Sequence, residues 1–120
     1  ANSSRDALSR VEVMAAMSDI SFSEKALKTL ISSAIDLIVH ITRMADGKRR
    51  ITQIDEVGTL SGTTIELVPV FIFEQTGTDP DNAVTGVFRG TGTIPDAAGQ
   101  IRLAGIQLGR NLFNARTEVG

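Results

Sequence analysis

A chain of 120 residues, 42% apolar and 22% charged, is long enough for one core, either as a domain or as part of a larger one, and too hydrophobic for a disordered segment. Its formal charge of −2, from 12 basic and 14 acidic side chains, argues against a nucleic-acid surface. The absence of cysteine removes disulfides, thiolate metal sites and a thiol nucleophile, and fits the cytoplasm.

The chain opens Ala1-Asn2-Ser3-Ser4, with no initiator methionine and no signal-peptide pattern, and reads as a cut inside something longer. A first helix is expected from about Ser4 to Ser18. Ser3 or Ser4 can cap it, and Asp6 suits the positive end of the dipole. Leu8, Val11, Met14 and Met17 form one apolar stripe. A second helix is expected from about Ser23 to Ala34, with Leu27, Leu30, Ile31 and Ala34 on one face. Its start allows two readings: a capping box over Ser21-Phe22-Ser23-Glu24, or a Ser23 cap with Phe22 stapled to Leu27.

The period then changes. Asp36 to Met44 carries a β-branched run suited to a strand. Ala45-Asp46-Gly47-Lys48 predicts a type I′ turn, and Arg49 to Val57 the return strand. Two-residue-turn pairing sets Val39 opposite Ile54 and Thr42 opposite Ile51. Gly58 to Thr64 reads as a turn and Ile65 to Gln75 as a strand, in which Pro69 marks an edge or a bulge. The apolar run Ile65 to Phe73 is too short to cross a bilayer and carries Glu66 and Pro69. A loop over Thr76 to Asn82 and a short strand over Val84 to Arg89 follow. Pro95 can open a last helix over Asp96 to Ala104, which Gly105 ends with a left-handed residue. An apolar tail reaches Leu112-Phe113, and the last few residues are expected to fray.

Few residues offer chemistry. There is no Gly-x-x-x-x-Gly-Lys-Ser/Thr loop, and Gly90-Thr91-Gly92-Thr93 lacks the lysine and reads as a turn. His40, the one histidine, reads as a sheet residue without metal-ligand spacing around it. Adjacent Asp55 and Glu56 point to opposite faces of a strand, so they do not read as one acid pair. Arg43, Lys48, Arg49 and Arg50 gather at the hairpin tip, either as an interface or phosphate contact or as a solvated tip that discourages edge pairing. Arg5 and Arg10 oppose the dipole of the first helix, at a cost of roughly 0.3–1 kcal/mol each at most, which leaves room for a functional reason, with plain surface exposure as the alternative.

Several segments resemble a known family. Ala1-Asn2-Ser3-Ser4-Arg5-Asp6-Ala7-Leu8-Ser9-Arg10-Val11-Glu12 is similar to the end of the histidine box of CpaF-like ATPases, which power Tad/Flp pilus assembly within the type II/IV secretion ATPase superfamily. Ala34 to Ile41 and Asp46 to Val57 resemble the strand and hairpin arm that follow, and Phe71-Ile72-Phe73-Glu74-Gln75-Thr76-Gly77 the Phe-x-Phe-x-x-Thr-Gly stretch. Phe88-Arg89 and Thr91-Gly92-Thr93-Ile94-Pro95 resemble the terminal pattern. The segments are collinear and reach to about Phe113.

The resemblance implies an α/β fold that is the distal half of a RecA-like motor domain. It would comprise two N-terminal helices, a β-hairpin, a further strand pair and a short C-terminal helix. It implies a hexamer of identical subunits at the inner face of the cytoplasmic membrane, docked on secretion or pilus platform proteins, with no nucleic acid. ATP and Mg2+ belong to the full-length parent, whose phosphate loop, acidic boxes and box histidine would precede Ala1. The chain alone is expected to bind neither and to hydrolyse nothing. Asn2, Arg5 and Arg10 match the tail of the box, and Arg10 also matches an arginine of GspE-type ATPases, which assigns them to the nucleotide or a subunit interface. Arg43, Arg49 and Arg50 are candidates for a further interface. The alternative is a free-standing interaction module of the same fold, binding a partner by strand addition.

Overall fold

Two serines start the leading helices. A computed structural model describes residues 3–18, 23–109 and 111–119, with α1 over Ser4–Ala16 and α2 over Glu24–Ala34. The Ser3 hydroxyl accepts from the Asp6 amide and the Ser23 hydroxyl from the Ala26 amide. Each satisfies an amide that has no partner inside its helix. Ser21 and Phe22, which the capping box and the staple need, lie outside the described residues.

The expected stripes are only partly buried. Leu8 and Ile31 are buried, and Val11 and Leu27 pack beside them, but Met14, Met17 and Leu30 are exposed. Past Val11 the stripe of α1 stays largely exposed among the described residues, so its periodicity outruns its packing.

Among the described residues five strands follow: β1 (Leu37–Arg43), β2 (Arg49–Ser61), β3 (Thr64–Thr78), β4 (Val84–Gly90) and β5 (Arg116–Val119). They pair antiparallel in chain order. α3 (Asp96–Leu103) and a 3-10 turn (Leu112–Asn114) join β4 to β5. The fold is therefore α/β, with the hairpin, the further strand pair and the short C-terminal helix in the expected order. Several boundaries shift, β3 running on to Thr78 into the expected loop among them, and two changes are the largest. The Gly58–Thr64 turn contracts to Gly62-Thr63, and residues expected to fray form β5, paired with β4 from Gly86 to Arg89. Gly62 takes the positive φ of 62° that the two-residue loop needs.

The first hairpin is not type I′. Gly47 has φ 80°, but Asp46 does not have positive φ. The Gly47 amide donates to the Met44 carbonyl and the Met44 amide to the Lys48 carbonyl, both at 2.9 Å. This is a three-residue loop ending in a glycine bulge. The reason lies in the Asp46 carboxylate, which accepts from the Lys48 amide at 3.0 Å and holds its own backbone in the ordinary turn conformation. The longer loop moves the pairing by one residue, so Ile41 faces Ile51 and Thr42 faces Arg50. An irregularity between His40 and Ile41 leaves Thr52 as an extra residue on β2, and the pairing of Val39 with Ile54 is as expected.

Pro69 lies at a bulge on the central strand, not at an edge. Asp55 faces Pro69 and Ile54 faces Phe71, so Val70 is unpaired in that ladder. The segment after β4 fills the place: the Thr91 amide donates to the Val70 carbonyl at 2.9 Å, and the Thr91 hydroxyl donates to the Pro69 carbonyl at 2.7 Å.

Two cores result. Leu8 and Ile31 pack with Val57 and Ile65 between the helices and one sheet face. Val70, Ala98 and Phe113 close a second one under the C-terminal segment, and Phe113 tilts against Phe71 at 5.9 Å. Full burial of such a side chain stabilises by about 1.5–3 kcal/mol. α3 has no cap from Pro95; the carboxylate of Glu56 on β2 accepts from the Asp96 amide at 2.6 Å instead. No helix among the described residues is long and apolar enough to cross a membrane.

Asp46 also ties the hairpin tip to β4. Its Oδ2 accepts from Arg50 and from the Val84 amide, both at 2.9 Å. Arg50 foremost, and the Val84 amide next, hold this carboxyl well below its ordinary value of 3.8. A depressed folded-state value stabilises above the unfolded value and loses that contribution as pH falls toward the folded one. The thermal midpoint should therefore fall as pH drops below about 3.8, and Asp46→Asn should remove part of that slope while lowering the midpoint at neutral pH. Parallel acid melts of the two proteins test this.

Candidate functional site

Two of the bulges shape one cleft. At the first, the extra residue Thr52 turns its hydroxyl toward its neighbours on β1: it lies 2.9 Å from the Thr42 hydroxyl and 3.2 Å from His40 Nδ1. The β2–β3 bulge brings Pro69 to the same place, beside Gln53 and Asp55 of β2. The N-terminus of α1 supplies the remaining wall with Ser3, Ser4 and Arg5. The cavity measures about 370 Å³. Bulges at such places re-aim side chains that a regular strand would send alternately to both faces.

The walls differ in charge. Asp55 is 1% exposed. Its Oδ1 accepts from the Gln53 amide group at 2.7 Å, while its Oδ2 has no hydrogen-bond partner. Ser4 is also buried, with its hydroxyl unpaired. Buried polar atoms of this kind are uncommon, because each loses its water without replacement. On the α1 side, Arg5 Nη1 donates to the Ile65 carbonyl at 2.6 Å across 60 residues of chain. The Arg5 guanidinium held there and the helix dipole make this wall positive.

The residues matched to the box tail separate. Asn2 lies outside the described residues. Arg5 is in the cleft. Arg10 is on the exposed side of α1, where its Nε lies 3.4 Å from the Asp6 carboxylate, four residues earlier. The hairpin arginines separate too. Arg43 and Arg49 are exposed and directly opposite each other, an unfavourable pairing of like charges. Arg50 is mostly buried against Asp46 at 2.9 Å, and so acts within the fold.

His40 is half-buried in the sheet, as expected of it, but it belongs to the cleft. Sequence reading missed Thr42, Thr52, Gln53 and Asp55. A signal was present: His40 and Thr42 alternate with Val39 and Ile41, so the polar residues share a strand face. Nothing local announced that Thr52 and Asp55 would join them. Among the described residues no group of three His, Cys, Asp or Glu side chains could hold a metal ion.

The opposite face of the first hairpin is apolar. Leu37, Val39, Ile41 and Ile51 are exposed there, and β1 is an edge strand. The sequence matches no family model, and a search of curated proteins finds no match for it.

Proposed function

We propose that this chain is the C-terminal segment of a hexameric ATPase that powers Tad/Flp pilus assembly or type II/IV protein secretion. The observation that carries the reading is the ordered series of motifs from Ala1 to Pro95, each in the family's sequence order. The segment would form the distal half of a RecA-like motor domain at the cytoplasmic membrane. In it, α1 begins at the tail of the histidine box and turns Arg10 outward, where a neighbouring subunit or a nucleotide at the subunit boundary can meet it. ATP and Mg2+ would be held by a phosphate loop and acidic boxes that this chain does not contain. Arginine stabilises charge developing on a transferring phosphoryl group, and that is the chemistry Arg10 would supply.

The expected result has two parts. Residues 1–120 alone should show no ATP turnover above background. A parent chain carrying the upstream motifs should hydrolyse ATP, and Arg10→Ala should lower its kcat by about 10²-fold or more. Turnover by the short chain that disappears on Arg10→Ala would overturn the reading.

One observation favours a second reading. The exposed Leu37, Val39 and Ile41 on an edge strand suit a protein-interaction module that binds by strand addition. A parent chain without ATPase activity would favour it.

A further inference from the structure

The cleft between the first three strands and the start of α1 has features that ATP hydrolysis does not explain. Asp55 is 1% exposed and Ser4 5%, and each keeps one polar atom without a partner. The two residues line the same cavity, on opposite sides of which the charge changes sign. Arg5 stands exposed on the α1 side with one N–H committed to the Ile65 carbonyl, and Asp55 is enclosed on the sheet side. Among the described residues the two do not form an ion pair with each other.

We infer that this cleft binds a small zwitterion of the α-amino-acid class. Its ammonium group donates to the Asp55 carboxylate, which turns from its enclosed position to meet it, and its carboxylate accepts from Arg5 and the first turn of α1. The threonine hydroxyls and Gln53 provide the polar lining between these ends.

Other ligand classes fit less well. A phosphate would meet the enclosed carboxylate of Asp55, a like charge with no cation beside it. A metal ion would find one carboxylate and one imidazole, too few ligands. A bare amine would satisfy Asp55 but bring no anion to the Arg5 guanidinium on the opposite wall. The cavity of about 370 Å³ is at the small end of the range for ligand pockets, which suits a molecule of this size. Opposite charges held apart on two walls also set the orientation of a zwitterion, since reversing it would place like charges together at both ends. The inference does not depend on the ATPase reading, because none of its contacts involves a nucleotide.

The test is a titration of the 120-residue chain with glycine, L-serine and L-lysine, followed by amide chemical shifts in two-dimensional NMR. Ethanolamine and propionate serve as single-charge probes. At least one amino acid should shift the amides of Arg5, Thr52, Gln53 and Asp55, with weaker effects from either single-charge probe. Asp55→Asn preserves shape and can still accept from Gln53, and it should weaken binding by about tenfold, the cost of one charge-assisted hydrogen bond. Arg5→Gln, at the exposed rim, should do the same; because it also removes the bond to the Ile65 carbonyl, its free form must keep the α1 amide shifts of the parent, and the proposal then stays testable if the Asp55 variant fails to fold. No shift at these amides with any of the three amino acids overturns the proposal. So does ethanolamine or propionate binding as tightly as the amino acids, or an affinity unchanged in Arg5→Gln.

Discussion

Replacing Gly90 by alanine should cost about 3 kcal/mol or more and lower the thermal midpoint by about 10 °C. A Cβ at this position would sit 2.1 Å from the carbonyl oxygen of Phe113 and 2.3 Å from its carbonyl carbon. Those are backbone atoms, so no side chain can swing away to relieve the contact. The strand and the 3-10 turn must separate instead. Separation breaks the bonds that hold them together: Gly90 amide to Ala115 carbonyl and Gly92 amide to Phe113 carbonyl, both 2.8 Å. It also lifts Phe113 from the small core it shares with Val70 and Ala98. The loss should be concentrated at the C-terminal end, with β5 amides exchanging first. Gly99→Ala is the natural control. That glycine lies inside α3 with nothing within 4 Å of an added methyl group. Alanine there should be neutral or stabilise by roughly 0.5–1 kcal/mol, since it restricts the unfolded chain in a helical position. Equal melting of Gly90→Ala and the parent chain would show that this close approach does not govern the C-terminal fold.

Leu8→Ala should release α1 while leaving the sheet folded. Leu8 is 2% exposed and is the only large apolar side chain of α1 that is fully buried. Its truncation should cost about 2–5 kcal/mol, from lost transfer energy and from the cavity left beside Ile31, Val57 and Ile65. Such a loss is comparable to what holds a single peripheral helix to its domain, because elements with few buried contacts open at lower free energy than the whole. Hydrogen exchange should therefore show lost protection in α1 with β2 and β3 still protected. Arg5 leaves with the helix, so binding in the cleft should weaken in the same variant. Uniform loss of protection across the sheet would instead make α1 part of the global folding unit.

What the sequence by itself determined is mostly local. Ser3 and Ser23 announce the helix starts because a cap bonds an amide three residues away. Asp46-Gly47 announces a hairpin, Pro69 a bulge in a strand that cannot use a proline amide, and Gly105 a left-handed stop at φ 88°. Each signal acts within one turn of chain, so it survives whatever the rest of the molecule does. The register beyond the first hairpin needed more. One loop residue and one bulge decide whether Thr52 faces the cleft, and the aspartate that sets the loop length answers to Val84, 38 residues away.

The cleft was decided only in three dimensions. Arg5 reaches Ile65 across 60 residues, and Glu56 caps a helix 40 residues later. Gly90 is needed as glycine because of a carbonyl at Phe113. None of these partners is marked by periodicity, since a single polar side chain on a strand face looks the same whether it meets water or a helix end. Tertiary packing separates the cases: it removes water from Asp55 and Ser4 and supplies a partner to one oxygen of Asp55 but none to the other. Desolvation depends on everything that surrounds an atom, and that is why the fold's outline is written locally while its polar cleft is not.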